Sequence, residues 1–392
     1  MQSILYPGGI PLWRNVVFIQ WVVQIVSAII VIAIVSGFIF NVANEIQDRE
    51  IPFGFSFLDE AAQIPIGESV IEYDPSESYL YGFTVAALNT IKASVLGVII
   101  ATLLGIVIGV ARLSSNWLLS KLALVYIETF RNIPLLIQLL FWFLIILELP
   151  NVREGYVFFD TFYLNNSGFY LPWASPLSGF WPWAILTLIG IVGAITAFNF
   201  LNRREIETGK PSYPIVIGFL IFIAATIIGL IIFTPLDVVS PERQEGPFGR
   251  LQGGARLTGS FFALLIGLVI YTSAFIAEIV RAGIQAVNRG QTEASRALGL
   301  HTNAGLRYVI FPQALRVIIP PLISQYLNLT KNSSLAAAIG YPDLVSVSTT
   351  MTQIAPAISL IGMVMVTYLA MSLFYSLVGN IYNRVTKYAG VG

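Results

Sequence analysis

The sequence contains no cysteine, and this absence excludes disulfide bonds and metal sites built from thiolates. It contains one histidine, His301, and a lone histidine without clustered carboxylates predicts a surface residue rather than a metal ligand. A phosphate-binding P-loop is missing as well, because Gly209-Lys210 is followed by Pro211 where a serine or threonine is required. The sequence therefore predicts no catalytic residue, and no metal or cofactor bound by this chain.

Charged residues are also scarce. They make up 11% of the 392 residues, whereas hydrophobic residues make up 56% and the mean hydropathy is +0.79. This composition is too apolar for a soluble domain, and uncharged runs of about 20 residues indicate helices that cross a membrane. Eight such helices are predicted, over 16–40, 84–110, 119–147, 182–200, 214–234, 259–281, 316–340 and 356–381. The first run is too long for a cleaved signal peptide, so a retained helix is expected.

The basic residues are distributed unevenly between the two sides of these helices. If the N-terminus is cytoplasmic, the outer segments hold only Arg49, Arg153, Arg243, Arg250 and Arg256. The inner segments hold Arg14, Arg112, Lys121, Arg203, Arg204, Lys210, Arg281, Arg289, Arg296, Arg307, Arg316, Arg384 and Lys387. This asymmetry predicts a multi-pass protein with both termini in the cytoplasm. Because the basic residues are scattered at helix ends, no nucleic-acid partner is expected.

The chain divides into three predicted parts. The stretches 82–148 and 257–392 together predict one five-helix core, interrupted by 149–256. The interruption is rich in aromatic residues and proline, which is typical of a membrane interface, and it supplies two apolar helices. Segment 1–81 adds an N-terminal helix and a strongly acidic outer loop over 41–80. That loop is either solvated or a contact for a partner protein.

A polar stretch, 290–312, connects the sixth and seventh predicted helices. Thr292 can cap a helix start, and Glu293 would then lie in the first turn, where a negative charge complements the helix dipole. Gly299 suits the position just after the last turn, which often needs a left-handed backbone. A second helix is expected to follow and to run toward Pro312. An ordinary connecting loop with one helical turn is the alternative interpretation.

Several charged side chains fall within the predicted membrane helices, where each must face protein or water. Glu128 with Arg131, and Glu278 with Arg281, are spaced i, i+3, so each pair shares one helix face. A structural ion pair is the preferred interpretation for Glu128 and Arg131. Glu278 and Arg281 lie near the cytoplasmic end of their helix and predict a structural or gating pair, with Glu278 also a candidate for a substrate pathway.

Four consecutive polar residues interrupt the apolar seventh helix: Lys331, Asn332, Ser333 and Ser334. Two prolines precede them, Pro320 and Pro321, which remove backbone hydrogen bonds and can kink the helix. Lys331 can bind a substrate carboxylate, and the three neutral side chains can bind an ammonium group or a substrate side chain. A substrate pathway for a zwitterion and a purely structural polar patch both remain open.

The polar stretch resembles the "EAA" loop of bacterial ABC importer permeases. The similarity rests on Glu293-Ala294-Ser295, Gly299 and Pro312, with Ser295 standing where a second alanine is usual. Serine is small enough for the same helix. Segments resembling the polar amino acid subgroup are 82–90, 126–136, 277–283, 312–316 and 331–335. The long insert and the extra first helix resemble permeases of general L-amino acid uptake systems, a long form of the histidine/glutamine type.

The resemblance implies an all-α integral membrane fold with a type I five-helix permease core. It implies that the ATPase-coupling residues are Glu293, Ala294, Ser295, Gly299 and Pro312. A separate pair of ATPase subunits would bind ATP and Mg, and a second permease, either a related chain or a second copy, would complete the path. An extracytoplasmic binding protein would deliver L-amino acids, with broad specificity, to this complex in the bacterial inner membrane. The alternative is a secondary, ion-coupled carrier that works without an ATPase.

Overall fold

The computed structural model of the chain describes residues 14–209, 211–234, 236–244 and 250–386. Lys210 and Lys387, two of the basic residues behind the predicted orientation, lie outside these ranges. The α-helices are α1 (Val16–Asp48), α2 (Tyr79–Arg112), α3 (Trp117–Asn132), α4 (Leu135–Leu147), α5 (Phe180–Thr208), α6 (Pro214–Phe233), α7 (Gly259–Gln285), α8 (Arg289–Ala297), α9 (Thr302–Gly305), α10 (Phe311–Asn332), α11 (Leu344–Met351) and α12 (Ala357–Thr386).

Long apolar helices dominate the part of the chain that the structure describes. Seven of its helical segments are long and apolar enough to cross a membrane, or eight if the bent pair α3 and α4 forms one span. The predicted fold class, an all-α membrane protein with about eight spans, is confirmed. The seventh span begins earlier than predicted, because α9, a π-helical turn over Leu306–Ile310 and α10 follow one another without a break.

The prediction of a single helix over 119–147 is wrong, because a sharp bend divides this segment into two helices. Helices α3 and α4 meet at an angle of 104°. Pro134 lacks an N–H and disfavours a helical conformation at Ile133, whose backbone is extended with φ −94° and ψ 127°. The buried side chain of Gln138 reaches across the bend, and its Nε2 donates to the carbonyls of Phe130 and Ile133, each at 3.0 Å. These bonds satisfy carbonyl groups that the end of α3 leaves without helical partners.

The inserted segment 149–256 contains short strands that the sequence analysis did not predict. They are β1 (Tyr156–Phe158), β2 (Phe162–Asn165), β3 (Gly168–Leu171), β4 (Trp173–Pro176), β5 (Leu236–Val239), β6 (Glu242–Arg243), β7 (Leu251–Gln252) and β8 (Ala255–Thr258). Strands β1, β2, β3 and β8 form an antiparallel sheet in that order. Phe169 of β3 stacks on Phe162 of β2, 6.1 Å between ring centroids, and on Phe262 of α7 at 5.4 Å. Because β8 leads directly into α7, the sheet is continuous with that helix.

The same insert supplies the two predicted apolar helices, α5 and α6, which pack along each other through small residues. A Cβ atom added at Gly190 would lie 2.5 Å from the Cβ of Ala225, so this contact requires glycine. A hydrogen bond also joins the two helices, because the Trp183 Nε1–H donates to the carbonyl of Thr226 at 3.2 Å. Such close backbone approach gives van der Waals contact in a membrane, where no hydrophobic effect draws helices together.

The chain forms two compact units, and one of them contains the described residues up to Ala87 together with Leu344–Ser372. Its core is built from the acidic segment, the start of α2, and α11 and α12: Phe57, Ala62, Ile64, Tyr79, Phe83, Leu344, Met351 and Leu360. Helix α1 has no buried residue. The predicted acidic loop is therefore folded around buried apolar side chains, and the three-part division of the chain stays a prediction.

Two ionisable side chains of the acidic segment have shifted pKa values with clear causes. Burial, followed by the charges of Asp74 and Glu77, raises the pKa of the Tyr73 hydroxyl, which donates to the Ile64 carbonyl at 2.9 Å. Hydrogen bonds from the hydroxyl and the N–H of Ser76 hold the pKa of Asp74 below its usual range. The two shifts favour a charged Asp74 carboxylate beside a neutral Tyr73 hydroxyl.

The other unit contains residues 88–343 and the described residues from Leu373 onward, and α7 is its central helix. The α7 side chains Phe261, Leu264 and Leu268 are fully buried and pack in one cluster with Leu139 of α4. Helix α2 approaches α7 closely, because a Cβ added at Gly105 would lie 2.6 Å from the side chain of Ile276. The helix that leads into the polar stretch 290–312 is thus held on several sides.

Candidate functional site

Helix α8 begins one turn earlier than the sequence predicts. Its N-cap is Asn288, whose Oδ1 accepts a hydrogen bond from the N–H of Gly290 at 2.8 Å. Asparagine is among the best N-cap residues, so the helix starts at Arg289 rather than after Thr292. Glu293 therefore lies in the middle of α8, and the first turn contains no acidic residue. The predicted interaction of Glu293 with the positive end of the helix is wrong for this reason.

The end of α8 confirms the predicted helix cap at Gly299. Gly299 has a φ of +75°, in the left-handed region that favours glycine. Its N–H donates to the Arg296 carbonyl at 2.9 Å, and the N–H of Leu300 donates to the Ser295 carbonyl at 3.0 Å. This is the hydrogen-bond pattern of a Schellman motif, which closes a helix C-terminus. Helix α8 is consequently capped at both ends.

Ser295 packs on the inner side of α8 against the next helix. It is 5% exposed, and its hydroxyl donates to the Thr292 carbonyl at 2.8 Å. A Cβ atom added at Gly305 of α9 would lie 3.0 Å from the Ser295 Oγ. The residue at 295 must be small because α8 and α9 touch here, which explains why serine can replace alanine at this place.

The outer side of α8 combines polar and apolar surface. Glu293 and Ala294 are exposed, and Leu298, the C-cap residue that follows this polar helix, is 80% exposed. Tyr308, in the π-helical turn that follows α9, is 67% exposed. Leu298 and Tyr308 therefore add exposed apolar area next to the polar surface of α8. Neither Leu298 nor Tyr308 was predicted as a functional residue, although a lone leucine after a polar helix is a recognisable pattern.

The segment after α8 returns to the membrane helices through Pro312. The second helix runs toward Pro312 as predicted and continues into α10. The N–H of Phe311 donates to the Leu306 carbonyl, five residues back, so the chain widens to a π-helical turn before the proline ring. Gln313 Nε2 donates to Gln291 Oε1 at 3.1 Å, which ties the start of α10 to α8. Pro312 itself is exposed.

The predicted pair Glu278 and Arg281 forms on α7. Arg281 Nε donates to Glu278 Oε2 at 2.9 Å, and Nη2 contacts the other carboxylate oxygen. Nη1 donates in addition to Gln285 Oε1 at 2.6 Å. A bidentate guanidinium–carboxylate pair has defined geometry and is stronger than a single contact. The pair lies near the end of α7, next to the start of α8.

The predicted ion pair between Glu128 and Arg131 is wrong. In the described part of the chain, Glu128 is contacted by the side-chain amide of Asn132, at 2.7 Å to its carbonyl and 3.4 Å to its carboxylate. The Arg131 guanidinium instead lies over the Phe275 ring of α7, 5.1 Å from its centroid. A cation–π contact to another helix and hydrogen bonds from the Asn132 amide replace the predicted ion pair between Glu128 and Arg131.

The polar run 331–334 falls at a change of helix type. Helix α10 ends at Asn332, and a 3₁₀-helix covers Ser333–Ile339. Lys331 is exposed, and its ammonium has no partner among the described residues. Ser333 is fully buried and its hydroxyl donates to the Thr330 carbonyl at 2.8 Å, while Ser334 donates to the Lys331 carbonyl at 2.7 Å. Lys331 is therefore accessible, whereas Ser333 is buried within the fold. Pro320 and Pro321 lie inside α10.

A second polar group lies within the same unit. The Tyr341 hydroxyl donates to the Asn89 carbonyl at 3.1 Å, and Asn89 Nδ2 donates to the Pro342 carbonyl at 2.9 Å. The Lys92 ammonium lies over the Phe261 ring, 4.3 Å from its centroid. None of these residues was predicted as a site residue, because their partners are distant in the chain. No group of three or more potential metal ligands occurs among the residues that the structure describes.

Comparison with known proteins gives consistent matches. The family described as "Binding-protein-dependent transport system inner membrane component" matches residues 211–388. YhdX of Escherichia coli (strain K12), named as an amino-acid ABC transporter permease protein, is 44% identical over 93% of each chain. The general L-amino acid transport system permease protein AapQ of Rhizobium johnstonii is 39% identical over 95% of this chain and 92% of its own. The glutamate/glutamine/aspartate/asparagine transport system permease protein BztB of Rhodobacter capsulatus is 36% identical over 93% of each.

Proposed function

The chain belongs to the amino-acid ABC transporter permeases, and from that premise we propose that it serves an ATP-driven importer of broad specificity for L-amino acids. Support for broad specificity comes from AapQ, whose name describes a general L-amino acid system and which matches 95% of this chain. BztB, named for four acidic and amide amino acids, matches over a similar length. The long insert is part of these full-length matches.

Coupling to a separate ATPase is the second part of the proposal, and the geometry of α8 is the observation that carries it. The helix is capped by Asn288 and Gly299, and it holds Glu293, Ala294 and the exposed Leu298 on its outer side. Three residues separate α7 from α8, so movement of α8 is transmitted to a long membrane helix. An ATPase that binds this surface and displaces α8 would tilt α7 and the helices packed on it. ATP and Mg would be bound by that partner and not by this chain.

Reconstitution separates this proposal from an ion-coupled carrier. Liposomes would contain either the chain alone or the chain with its co-purifying second permease and ATPase, with the binding protein outside and Mg-ATP inside. We expect amino acid accumulation only with the ATPase and hydrolysable ATP, and competition among acidic, amide, basic and apolar amino acids. Accumulation by the chain alone under an ion gradient would instead support the secondary carrier.

The substrate pathway is proposed to include Lys331, Asn332, Ser334 and Glu278, while Ser333 is assigned a structural role. Lys331 is exposed and unpaired among the described residues, so its ammonium is available to a substrate carboxylate. We expect Lys331→Ala to reduce uptake at least about tenfold, the loss for one charge-assisted hydrogen bond, without affecting complex assembly. Lys121→Ala, at an exposed lysine of α3, is the matched control. Equal uptake by the two variants would remove Lys331 from the pathway.

The proposed location is the bacterial inner membrane, with both termini cytoplasmic. The absence of cysteine makes this orientation directly measurable, because a single introduced cysteine is the only thiol. Leu298→Cys and Phe159→Cys change side chains that are 80% and 91% exposed. A membrane-impermeant maleimide applied to intact cells should label the second and not the first, and inverted vesicles washed free of the ATPase should reverse this result. Labelling of Leu298→Cys from outside would overturn the orientation and the ATPase contact together.

The remaining partners are proposed from the family and from charge. A second permease, preferentially a related chain rather than a second copy, would complete the transport path. An extracytoplasmic binding protein would contact the acidic segment 41–80, which is folded and charged. Mass spectrometry of the complex, purified through a tag on this chain, would identify each partner. Recovery of the chain only with itself and an ATPase would favour the homodimer.

A further inference from the structure

A cavity of about 460 Å³ lies between the end of α7, the inner side of α8 and the segment that follows α8. Besides the buried Ser295, three residues of α8 line it: Arg289, Thr292 and Arg296. Their i, i+3, i+7 spacing places all three on one face of the helix. The volume is within the range of small-molecule sites.

The two arginines at this cavity are available for a ligand. Among the described residues, neither guanidinium has a hydrogen-bond or ion-pair partner. Gln285 also lines the cavity, and because its Oε1 accepts from Arg281, its amide N–H groups remain as donors. Glu293, the only carboxylate of α8, is not among the lining residues. The charged side chains that line this space are therefore both cations, and the Gln285 amide adds neutral donors, a set that favours an anion.

Apolar side chains complete the lining, among them Ile284, Leu300 and Ile310. The cavity lies where the membrane-spanning part of α7 ends, at Gln285. A pair of arginines above apolar surface at a membrane boundary suits an anionic head group, because guanidinium binds phosphate oxygens in a planar, two-point geometry. We infer that this cavity binds a phosphate-bearing anion through Arg289 and Arg296, at the joint between α7 and α8.

The inference goes beyond transport and coupling, since it concerns a ligand that joins α8 to the membrane helices. Bound phosphate would contact Arg289 and Arg296 of α8 and the Gln285 amide of α7, and would thereby limit the movement of α8 relative to α7. The phosphate can belong to a membrane lipid or be free in solution, and the two sources predict different responses of the purified chain. The ATPase is not required for either response, so this test is independent of the coupling proposal.

The experiment measures the Tm of the purified full-length chain in neutral detergent, titrated with phosphatidylglycerol, with inorganic phosphate, or with diacylglycerol of the same acyl chains. Phosphatidylglycerol should raise the Tm of the wild type, whereas diacylglycerol should not. An equal response to inorganic phosphate would assign the site to free phosphate, and a response to the lipid alone would assign it to the head group. The absence of a response to either phosphate probe overturns the inference.

Variants test whether the response comes from this cavity. The double variant Arg289→Gln with Arg296→Gln should bind the active probe about tenfold more weakly for each arginine removed. The double variant Arg203→Gln with Arg204→Gln removes the same charge from exposed positions of α5 and should bind like the wild type. Thr292→Trp keeps both arginines, fills the cavity and should abolish binding. Wild-type binding by the first or third variant would refute the assignment.

Discussion

Replacing Gly299 isolates the contribution of backbone geometry to α8. A Cβ atom at this position would meet no other atom within 4 Å, so a larger residue causes no collision. The only cost is the left-handed backbone, φ +75°, which disfavours a β-branched residue by about 1–2 kcal/mol. Gly299→Val should therefore loosen the end of α8 by this amount. Gly299→Asn should have a much smaller effect, because asparagine adopts this conformation more readily.

Hydrogen exchange measures the effect where it arises. The N–H of Leu300 is protected by its bond to the Ser295 carbonyl, and a loss of about 1–2 kcal/mol corresponds to roughly 5- to 30-fold faster opening. We expect this acceleration in Gly299→Val and little change in Gly299→Asn, with exchange in α7 unaltered. Uptake by the reconstituted complex should fall in the same order. Equal exchange in the two variants would refute the argument that the left-handed conformation closes this helix.

Three further predictions concern packing and charge. Glu293→Lys reverses an exposed charge in the middle of α8 and should uncouple ATP hydrolysis from uptake without a change in Tm, whereas Glu293→Gln should uncouple them less. Full uptake by the lysine variant would exclude a coupling role for Glu293. Ser295→Leu forces a large side chain against Gly305 and should cost about 1–3 kcal/mol of stability, whereas Ser295→Ala should be tolerated. Denaturant titration compares the two variants, and equal stability would contradict the close contact between α8 and α9. Gly105→Ala should destabilise the chain by a similar amount, whereas Gly37→Ala, at an open position of α1, should not. Equal Tm values for the two variants would count against tight packing of α2 on α7.

The position of α7 gives these predictions a common basis. Thr258 ends β8 and caps α7, with its Oγ1 accepting from the N–H of Phe261 at 3.2 Å. At the other end, Asn288 caps α8 only three residues after α7 finishes. One helix thus joins the β-sheet of the insert directly to α8. A displacement at either end is transmitted along α7 because its side chains are packed on several sides.

Features that depend on neighbouring residues were predictable from the sequence. The Gly299 C-cap follows from local backbone preference, and the bond between Glu278 and Arg281 follows from i, i+3 spacing on one helix. The same spacing failed for Glu128 and Arg131, because Arg131 contacts Phe275 on another helix. The start of α8 was misjudged although its signal is local, since Asn288 is a better cap than Thr292.

The amino-acid sequence alone determined that this is a membrane protein of about eight apolar helices, because transfer of uncharged 20-residue segments into lipid depends on composition. It also determined the polar stretch 290–312 and its glycine cap. Tertiary structure alone decided that α3 and α4 meet at 104°, that the insert forms strands, and that Ser295 is buried while Leu298 is open. It also brought Arg289 and Arg296 to one cavity. These features depend on contacts between residues far apart in the chain, which local periodicity does not specify.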